Sequence, residues 1–448
     1  MIKEKNTIIL INLPNGTETE VIGADKYNVP MGLMYLSASL ELSGFFSMII
    51  DLVAQPLLNQ EIIDLINAEQ PIFVGITTYT ANFKSVLDLA KIIKQNCENI
   101  HVVLGGAHVS LIPEDGMCCQ HVDFVVIREG EATIVELAEA MVTNQSTIAY
   151  SNIDGICYRS DDKLNINKQR MAVMDLNILP IVKRDFAINN IEKKEISVAT
   201  SRGCPNGCLY CAVTVLSGSK YRTRDIDCVF MEIIYLKLVF EKNFSIVFTD
   251  DTFTVLPERV LRFIELIDLY SVDLTWWCGS RIESMSKEII IKMANSGCCG
   301  ITFGIESGNQ EILNKIHKKM RLSMAREIIE YTKNAGMRAT LNFMFGHFCD
   351  TKESMRATLK FIKQMFFMHK ANIIFTYNVP FPGTWQYQKR EELGIRMPSD
   401  YNRFIVTEPM IETSNFTIID QLEIGLKATR FLNKYDYPDG VEIQNAKK

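Results

Sequence analysis

The chain of 448 residues has no uncharged apolar run of about 18 residues, the length that a membrane-spanning helix needs. The apolar stretch within residues 1–16 is too short for a secretion signal and instead has the pattern of a first strand. Positive charge is not in excess, because the net charge at pH 7 is -6. These absences predict a cytoplasmic protein that binds no nucleic acid, since binding a phosphate backbone needs a basic surface.

Disulfide bonds are not expected either, although the chain has 12 cysteines, because the cytosol keeps thiols reduced. Each cysteine is therefore a metal ligand, a reactive thiol or a small buried side chain. The length and an apolar content of 47% are enough for two or three domain cores.

Residues 1–145 are predicted to form a doubly wound α/β domain, because short apolar runs alternate with helical patterns. The runs are nearly continuous, which is typical of parallel strands covered by helices on both faces. Ligands bind such sheets beyond the carboxyl ends of the strands. Small or polar residues stand at those ends, and we expect them to form one rim: Pro14, Thr77, Thr78, Tyr79, Thr80, Gly105, Gly106, Ala107, His108, Glu129, Gly130 and Glu131.

A second series of six strand–helix units predicts a partial (β/α)6 barrel over residues 192–390. Its strands are expected at 195–201, 245–251, 274–280, 300–306, 339–346 and 372–379. The polar residues 146–191 are interpreted as a linker with a small β-element. Residues 391–448 are predicted to form a helical C-terminal segment that covers one barrel edge and ends in a polar tail. Catalytic groups in such barrels come from the loops that follow the strands.

The loop after the first barrel strand carries Cys204, Cys208 and Cys211. Three thiolates so close together let one loop bind three irons of a cubane cluster and leave the fourth iron without a protein ligand. An open coordination position is what a metal site needs in order to bind a small molecule. A structural zinc site is the alternative, but it would need a fourth Cys or His nearby.

The Cys-x-x-x-Cys-x-x-Cys spacing in this position resembles the radical S-adenosylmethionine (SAM) superfamily. Gly-Gly-x-His at 105–108 and Gly-Glu at 130–131 resemble the cobalamin-binding domain that is fused to many of its members. The resemblance implies a 4Fe-4S cluster that cleaves SAM to a 5′-deoxyadenosyl radical, and an external low-potential electron donor of the flavodoxin or ferredoxin type. It also suggests cobalamin at Gly105, Gly106, His108, Glu129, Gly130 and Glu131. The Asp-x-His-x-x-Gly motif of other cobalamin proteins is absent from the sequence, and His108 either closes a strand-end loop or contacts the ligand.

The same resemblance implies a SAM pocket at the barrel mouth, built from Tyr210, Asp250, Asp251, Arg281, Glu306 and Ser307. SAM presents a ribose diol, a sulfonium and an amino-acid end, which call for carboxylates, hydroxyls and a cation. Tyr210 either packs on the nucleoside or packs within its own loop. The two aspartates either lie near SAM or cap the following helix, the commoner use of Asp in such a loop.

The end reaction depends on how the substrate radical is quenched. Members of this subgroup usually have Gly-x-Pro-Gly-Glu-Thr after the fifth barrel strand, whereas this chain has Cys349 in place of the second glycine. A thiol can give a hydrogen atom to a carbon radical, so resemblance to radical SAM peptide epimerases implies Cys349 as hydrogen donor, with Cys278 as a second candidate. We predict L-to-D epimerisation of a peptide, although a small metabolite is also open as substrate. The alternatives are cobalamin-dependent C-methyl transfer in natural-product biosynthesis and a non-catalytic iron–sulfur redox sensor.

Overall fold

The computed structural model describes residues 6–15, 29–143, 147–160, 163–182, 184, 195–240 and 244–435. The end of the predicted linker, the predicted barrel start at residue 192 and the polar tail after residue 435 lie outside these residues. In the described part of the chain, no helix combines the length and the apolar character that crossing a membrane requires.

The first sheet has the strand order β2-β1-β3-β4-β5-β6-β7. Its strands are β1 (Thr7–Asn12), β2 (Phe46–Asp51), β3 (Phe73–Thr78), β4 (His101–Gly106), β5 (Phe124–Val126), β6 (Ile156–Ser160) and β7 (Lys163–Ile166). β1 to β5 are parallel, as the continuous apolar runs predict. β6 and β7 pair antiparallel, so residues interpreted as linker extend this sheet instead. The sequence pattern of these residues indicates a hairpin, but the attachment of the hairpin to β5 depends on tertiary pairing.

Helices cover both faces of this sheet, which confirms the doubly wound fold. They are α1 (Met31–Leu42), α2 (Asn59–Glu69), α3 (Phe83–Asn96), α4 (Ala107–Leu111), α5 (Pro113–Met117), α6 (Glu131–Val142) and α7 (Thr147–Tyr150). Ile8 and Leu10 pack with α1 and α6, whereas Ile9 and Ile11 pack with α2 and α3. Successive residues of one strand therefore enter two separate cores.

The second sheet has six parallel strands in the order β15-β14-β13-β12-β11-β8, which confirms the partial barrel. These strands are β8 (Glu195–Val198), β11 (Ser245–Phe248), β12 (Thr275–Ser280), β13 (Cys298–Glu306), β14 (Arg338–Phe345) and β15 (Asn372–Tyr377). β13 begins two residues before its predicted start and includes Cys298 and Cys299. Between β8 and β11, β9 (Ser201–Arg202) and β10 (Arg222–Thr223) form an antiparallel ribbon.

Helices follow the barrel strands and form its outer layer. They are α8 (Val213–Leu216), α9 (Ile226–Phe240), α10 (Pro257–Leu269), α11 (Lys287–Asn295), α12 (Gln310–Lys315), α13 (Leu322–Asn334), α14 (Lys352–His369), α15 (Trp385–Gln388) and α16 (Ile418–Lys434). Trp276 packs against Phe263 of α10 with ring centroids 5.5 Å apart. The next residue, Trp277, points to the opposite face of the sheet and donates a hydrogen bond to Thr302.

The C-terminal helix α16 packs on α14, as expected for a segment that covers a barrel edge. Thr417 and Asp420 form a capping box that starts this helix, which explains why it begins at residue 418. The domain boundaries stated above, including residues 391–448 as one segment, stay predictions.

Candidate active site

The cluster loop begins with a turn that only glycine fits well. Gly203 has φ +87°, and a Cβ at this position would lie 2.4 Å from the carbonyl oxygen of Lys220. The loop then packs on the end of α12, because Leu209 N donates to the Ile316 carbonyl and Cys208 Sγ lies 3.9 Å from the His317 carbonyl. Its backbone therefore fixes the middle cysteine against the barrel.

The three cysteines are the predicted ligands of a cubane cluster. Among the described residues, no three His, Cys, Asp or Glu side chains converge on a single metal ion. A cubane distributes its protein ligands over three irons, so they need not converge. Burial, together with the nearby Cys208, Asp251 and Cys204, raises the pKa of the Cys211 thiol to about 12. Iron cations would reverse this effect, since a coordinating thiol is deprotonated.

Arg281 and Glu306 lie beside this loop, as the SAM pocket requires. Arg281 Nη1 is 3.6 Å from Cys208 Sγ, and its Nη2 donates to Glu283. Glu306 has φ +67° and receives Lys318 Nζ at 3.3 Å, with Lys318 only 4% exposed. Tyr210 lies near the charges of Glu306 and Arg281. The structure therefore brings four of the predicted groups together, counting Cys208.

Asp250 is buried and holds the chain that leads into the cluster loop. Its carboxylate accepts hydrogen bonds from the Thr200 amide, the Thr200 hydroxyl and the Ser201 hydroxyl. Burial raises its pKa. The pKa of Asp251 is raised to about 6, first by desolvation and then by the charge of Asp250. Asp250 thus supports the site, while Asp251 lies close enough to Cys211 to influence its thiol; direct contact of either with SAM stays a prediction.

Three other predicted residues have different surroundings. Ser307 is 1% exposed and lies 3.1 Å from the Thr358 hydroxyl of α14, so it closes its own loop. Cys278 is fully buried in the barrel wall beside Cys298, away from the open side of the sheet. Cys349 is half-buried near Lys315, and burial raises the pKa of its thiol to about 12. Of the two candidate hydrogen donors, Cys349 rather than Cys278 has a partly accessible side chain.

The rim of the first sheet contains a close approach of two strand ends. A Cβ on Gly106, which has φ +101°, would lie 2.7 Å from both the amide nitrogen and the carbonyl oxygen of Thr78. Gly105 lies in β4 and Gly130 follows β5, and a Cβ on either residue would meet Val126. Packing between strands therefore requires glycine at Gly106, and contact of these glycines with cobalamin stays a prediction.

His108 is fully buried in this rim. Its Nδ1 is 3.2 Å from the Thr80 hydroxyl and its Nε2 is 3.3 Å from Asp115 Oδ2. The imidazole lies between the rings of Phe83 and Tyr401, at 4.2 and 4.7 Å. These contacts fit a residue that closes a strand-end loop, and contact of His108 with cobalamin stays a prediction.

Glu129 and Glu131 connect the rim to the barrel. Arg222 donates to both oxygens of Glu129, at 2.5 and 2.9 Å, and Arg202 Nη2 donates to Glu131 at 2.5 Å. Arg202 and Arg222 face each other in the β9–β10 ribbon, which begins and ends the cluster loop. Both carboxylates are thus engaged in ion pairs that fix the cluster loop against the rim.

A second set of contacts joins the same two regions. Helix α4, which starts at the rim, contacts α8, which directly follows Cys211. In the loop after β15, a Cβ on Gly383 would lie 2.9 Å from Leu111 Cδ2, so the α4 end fits against this loop closely. The strand ends of both sheets therefore face one shared region.

Four residues of this region were not singled out from the sequence: Arg202, Arg222, Lys318 and His347. The two arginines and Lys318 have the sequence pattern of ordinary surface cations, and their partners are distant in the chain. The sequence indicates a role for His347 only through its position directly after a predicted strand.

Sequence comparisons identify the class of this protein. A B12-binding domain model matches residues 21–138, and a radical SAM superfamily model matches residues 198–362. An uncharacterised methyltransferase of Pyrococcus horikoshii is 30% identical over 395 residues, which are 87% of this chain and 84% of the relative. The bacteriochlorophyllide d C-8(2)-methyltransferase of Chlorobaculum tepidum is 24% identical over 77% of this chain and 73% of the relative. The chain belongs to the radical SAM superfamily, among members that carry an N-terminal B12-binding domain.

Solved structures show the same fold. Radical SAM methyltransferase TsrM from Kitasatospora setae, solved with cobalamin and a 4Fe-4S cluster, has a TM-score of 0.69 at 17% identity over 88% of this chain and 77% of that chain. The cobalamin-dependent SAM radical enzyme OxsB has a TM-score of 0.75 at 16% identity over 96% of this chain and 67% of that chain.

The protein is therefore an enzyme whose cofactors are a 4Fe-4S cluster, SAM and cobalamin. Membership in this family also requires a reductant and a substrate. A non-catalytic redox sensor is set aside, because the radical SAM domain and the similarity to a methyltransferase support an enzyme. Similarity to methyltransferases favours the methyl-transfer alternative over the predicted epimerisation.

Proposed function

We propose that this enzyme transfers a methyl group from cobalamin to an unactivated carbon of its substrate. The observation that carries the proposal is the 30% identity to a methyltransferase over 87% of the chain. When bound, the cluster and SAM supply the radical that removes hydrogen from carbon, and cobalamin supplies the methyl group. Reducing equivalents would come from a flavodoxin or ferredoxin.

The chain's own residues support this assignment by their placement. Cys204, Cys208 and Cys211 would hold the cluster, and Arg281 and Glu306 lie beside it to orient SAM. The ribbon that frames the cluster loop is ion-paired to the rim of the B12-binding domain. Methyl transfer needs the carbon radical and the methyl donor in one closed space, and this arrangement keeps both cofactor regions together.

The test is anaerobic reconstitution with iron, sulfide and hydroxocobalamin, followed by desalting and metal analysis. We expect about four irons per chain, as a cubane requires, and one cobalt. After reduction of the bound cobalamin to its Co(I) state, and with SAM labelled in its methyl group, we then expect label on cobalamin and release of S-adenosylhomocysteine. Full iron without retained cobalt, or retained cobalt that never accepts the label, would contradict the proposal.

Replacing Cys349 by Ala distinguishes methyl transfer from epimerisation. Methyl transfer needs no thiol, so we expect both 5′-deoxyadenosine formation and methylation of cobalamin to remain within about twofold of the wild type, as for a side chain outside the chemistry. Cys118→Ala, at an exposed cysteine of the first domain, is the control. If Cys349→Ala still cleaves SAM but stops substrate turnover, the thiol is the hydrogen donor and epimerisation is the better assignment.

A further inference from the structure

The side chain of Tyr401 packs on the cores of both domains. It is partly buried against the apolar core of the barrel and against the core of the first domain that includes α2 and α3. Its ring meets that of Phe83, at the start of α3, edge-on with centroids 6.1 Å apart, and that of Phe404 at 5.4 Å. Tyr401 lies in the predicted C-terminal segment, so this segment contacts the first domain as well as the barrel.

The hydroxyl of Tyr401 begins a chain of polar contacts. It donates a hydrogen bond to Asp115 Oδ2 at 2.7 Å, although the two residues lie 286 positions apart. The same Oδ2 is 3.3 Å from His108 Nε2, and His108 Nδ1 is 3.2 Å from the Thr80 hydroxyl. The contacts therefore run from the C-terminal segment to the strand ends of the first sheet.

Asp115 carries a negative charge at neutral pH. The hydrogen bonds with His108 and Tyr401 outweigh burial and lower the pKa of its carboxyl. Burial and the neighbouring Asp115 and Tyr387 raise the pKa of Tyr401, whose hydroxyl therefore keeps its proton. A hydrogen bond to a carboxylate is about twice as strong as one between neutral groups. The bond from Tyr401 is thus a strong link between the barrel side and α5, which carries Asp115.

His108 belongs to α4, which joins three strand ends of the rim. This helix follows β4 directly. The Val109 amide donates to the hydroxyl of Thr78, the last residue of β3, at 3.4 Å. The amide of Arg128, which follows β5, donates to the Ser110 hydroxyl at 2.7 Å. A shift of α4 would therefore change the spacing of β3, β4 and β5 at the rim.

We propose that Tyr401 is a positioning residue for cobalamin, which acts through Asp115 and His108 on the rim of the first sheet. The inference rests on the proposed function only in placing cobalamin at this rim. A ligand binds more tightly to a site that is already held in its bound geometry, because less freedom is lost on binding. Tyr401 holds α4 and α5 in that geometry from the barrel side. The C-terminal segment, which the sequence assigns to a barrel edge, thereby also determines how tightly cobalamin is retained.

The cobalamin affinity of the iron-loaded full chain tests this role. Anaerobic equilibrium dialysis against hydroxocobalamin, without SAM or substrate, would compare the wild type with Tyr401→Phe. This change keeps the ring and removes the hydroxyl, so we expect the Kd to rise by about tenfold, as for one charge-assisted hydrogen bond, with the iron content unchanged. In the Asp115→Ala background the hydroxyl has lost its acceptor, so Tyr401→Phe should change the Kd by less than about twofold.

Tyr331→Phe is the matched control, because the Tyr331 hydroxyl also donates to a carboxylate, Glu327 Oε1 at 2.7 Å, but on the exposed surface of α13. It should bind hydroxocobalamin as the wild type does. An unchanged Kd in Tyr401→Phe overturns the proposal, even with a lowered unfolding midpoint, since the contact would then only stabilise the fold. A tenfold effect of Tyr401→Phe that persists in Asp115→Ala overturns it as well.

A second variant covers the case in which Tyr401→Phe does not fold. Asp115→Asn removes the charge at the centre of the contacts and should also raise the Kd by about tenfold, and an unchanged Kd would overturn the proposal. Failure of the proposed function has a different signature. A wild-type chain that does not bind hydroxocobalamin would refute the cobalamin assignment together with this inference, whereas wild-type binding that Tyr401→Phe leaves intact refutes this inference alone.

Discussion

Alanine in place of Cys204, Cys208 or Cys211 is expected to abolish both cluster assembly and SAM cleavage. Each thiolate binds a different iron of the cubane, so losing one exposes a second iron and releases the cluster. The iron count should fall to near zero, and 5′-deoxyadenosine should not form. The measurements are iron and sulfide content, the visible absorption spectrum and product analysis after reduction.

Cys299→Ala is the control for these variants, because Cys299 is an exposed cysteine of the same barrel. It should reconstitute with full iron and cleave SAM. Cobalt retention gives a second control, since the B12-binding domain has its own core. A variant of Cys204, Cys208 or Cys211 that keeps SAM cleavage would refute the cluster assignment.

Replacing Arg222 by Ala is expected to destabilise the protein by about 3 kcal/mol, because it removes the bidentate partner of a largely buried carboxylate and leaves it only the more distant Arg202. The side chains of Arg222 and Glu129 are 2% and 14% exposed. Arg222 also donates to the Val173 and Ser217 carbonyls, which would lose these bonds. The unfolding midpoint and the cobalt-to-iron ratio after desalting are the measurements, since loosening the rim should release cobalt before iron.

Arg262→Ala is the matched control, because the Arg262–Asp227 pair is 44% and 49% exposed. Exposed ion pairs contribute about 0–1 kcal/mol to the free energy of unfolding, so the unfolding midpoint of Arg262→Ala should hardly change. If Arg222→Ala is as stable as Arg262→Ala, the Arg222–Glu129 ion pair does not hold the cluster loop against the rim.

The same ion pair predicts a pH dependence. Burial raises the pKa of Glu129, but the hydrogen bond and charge of Arg222 and the charge of Arg202 outweigh burial and lower it below its ordinary value. A carboxylate whose pKa is lowered in the folded state stabilises the fold at pH values above its ordinary pKa of about 4.3. This stabilisation is lost as the pH falls through the lowered value. In Arg222→Ala, the midpoint should therefore depend less on pH in the acid range.

The strands were predicted correctly where the local sequence pattern alone indicates a strand. The parallel strands of the first sheet are nearly continuous apolar runs, and a strand of that kind is buried wherever it lies in the sheet. The hairpin at 156–166 shows the limit, because its polar residues gave no indication that β6 would pair with β5. The pairing depends on β5 being an edge strand, which is a property of the assembled sheet.

The sequence by itself predicted the cofactors but not the end reaction: the spacing of Cys204, Cys208 and Cys211 indicates a cluster loop because the three residues lie within eight positions of one another. It also indicated both folds, since each depends on local periodicity. Only the tertiary structure decided which polar residues face the site. Arg222 and Glu129 lie 93 residues apart in the chain yet share two hydrogen bonds. His347 meets Tyr210 across the barrel mouth. Such contacts arise from packing of distant segments, and no short pattern encodes them.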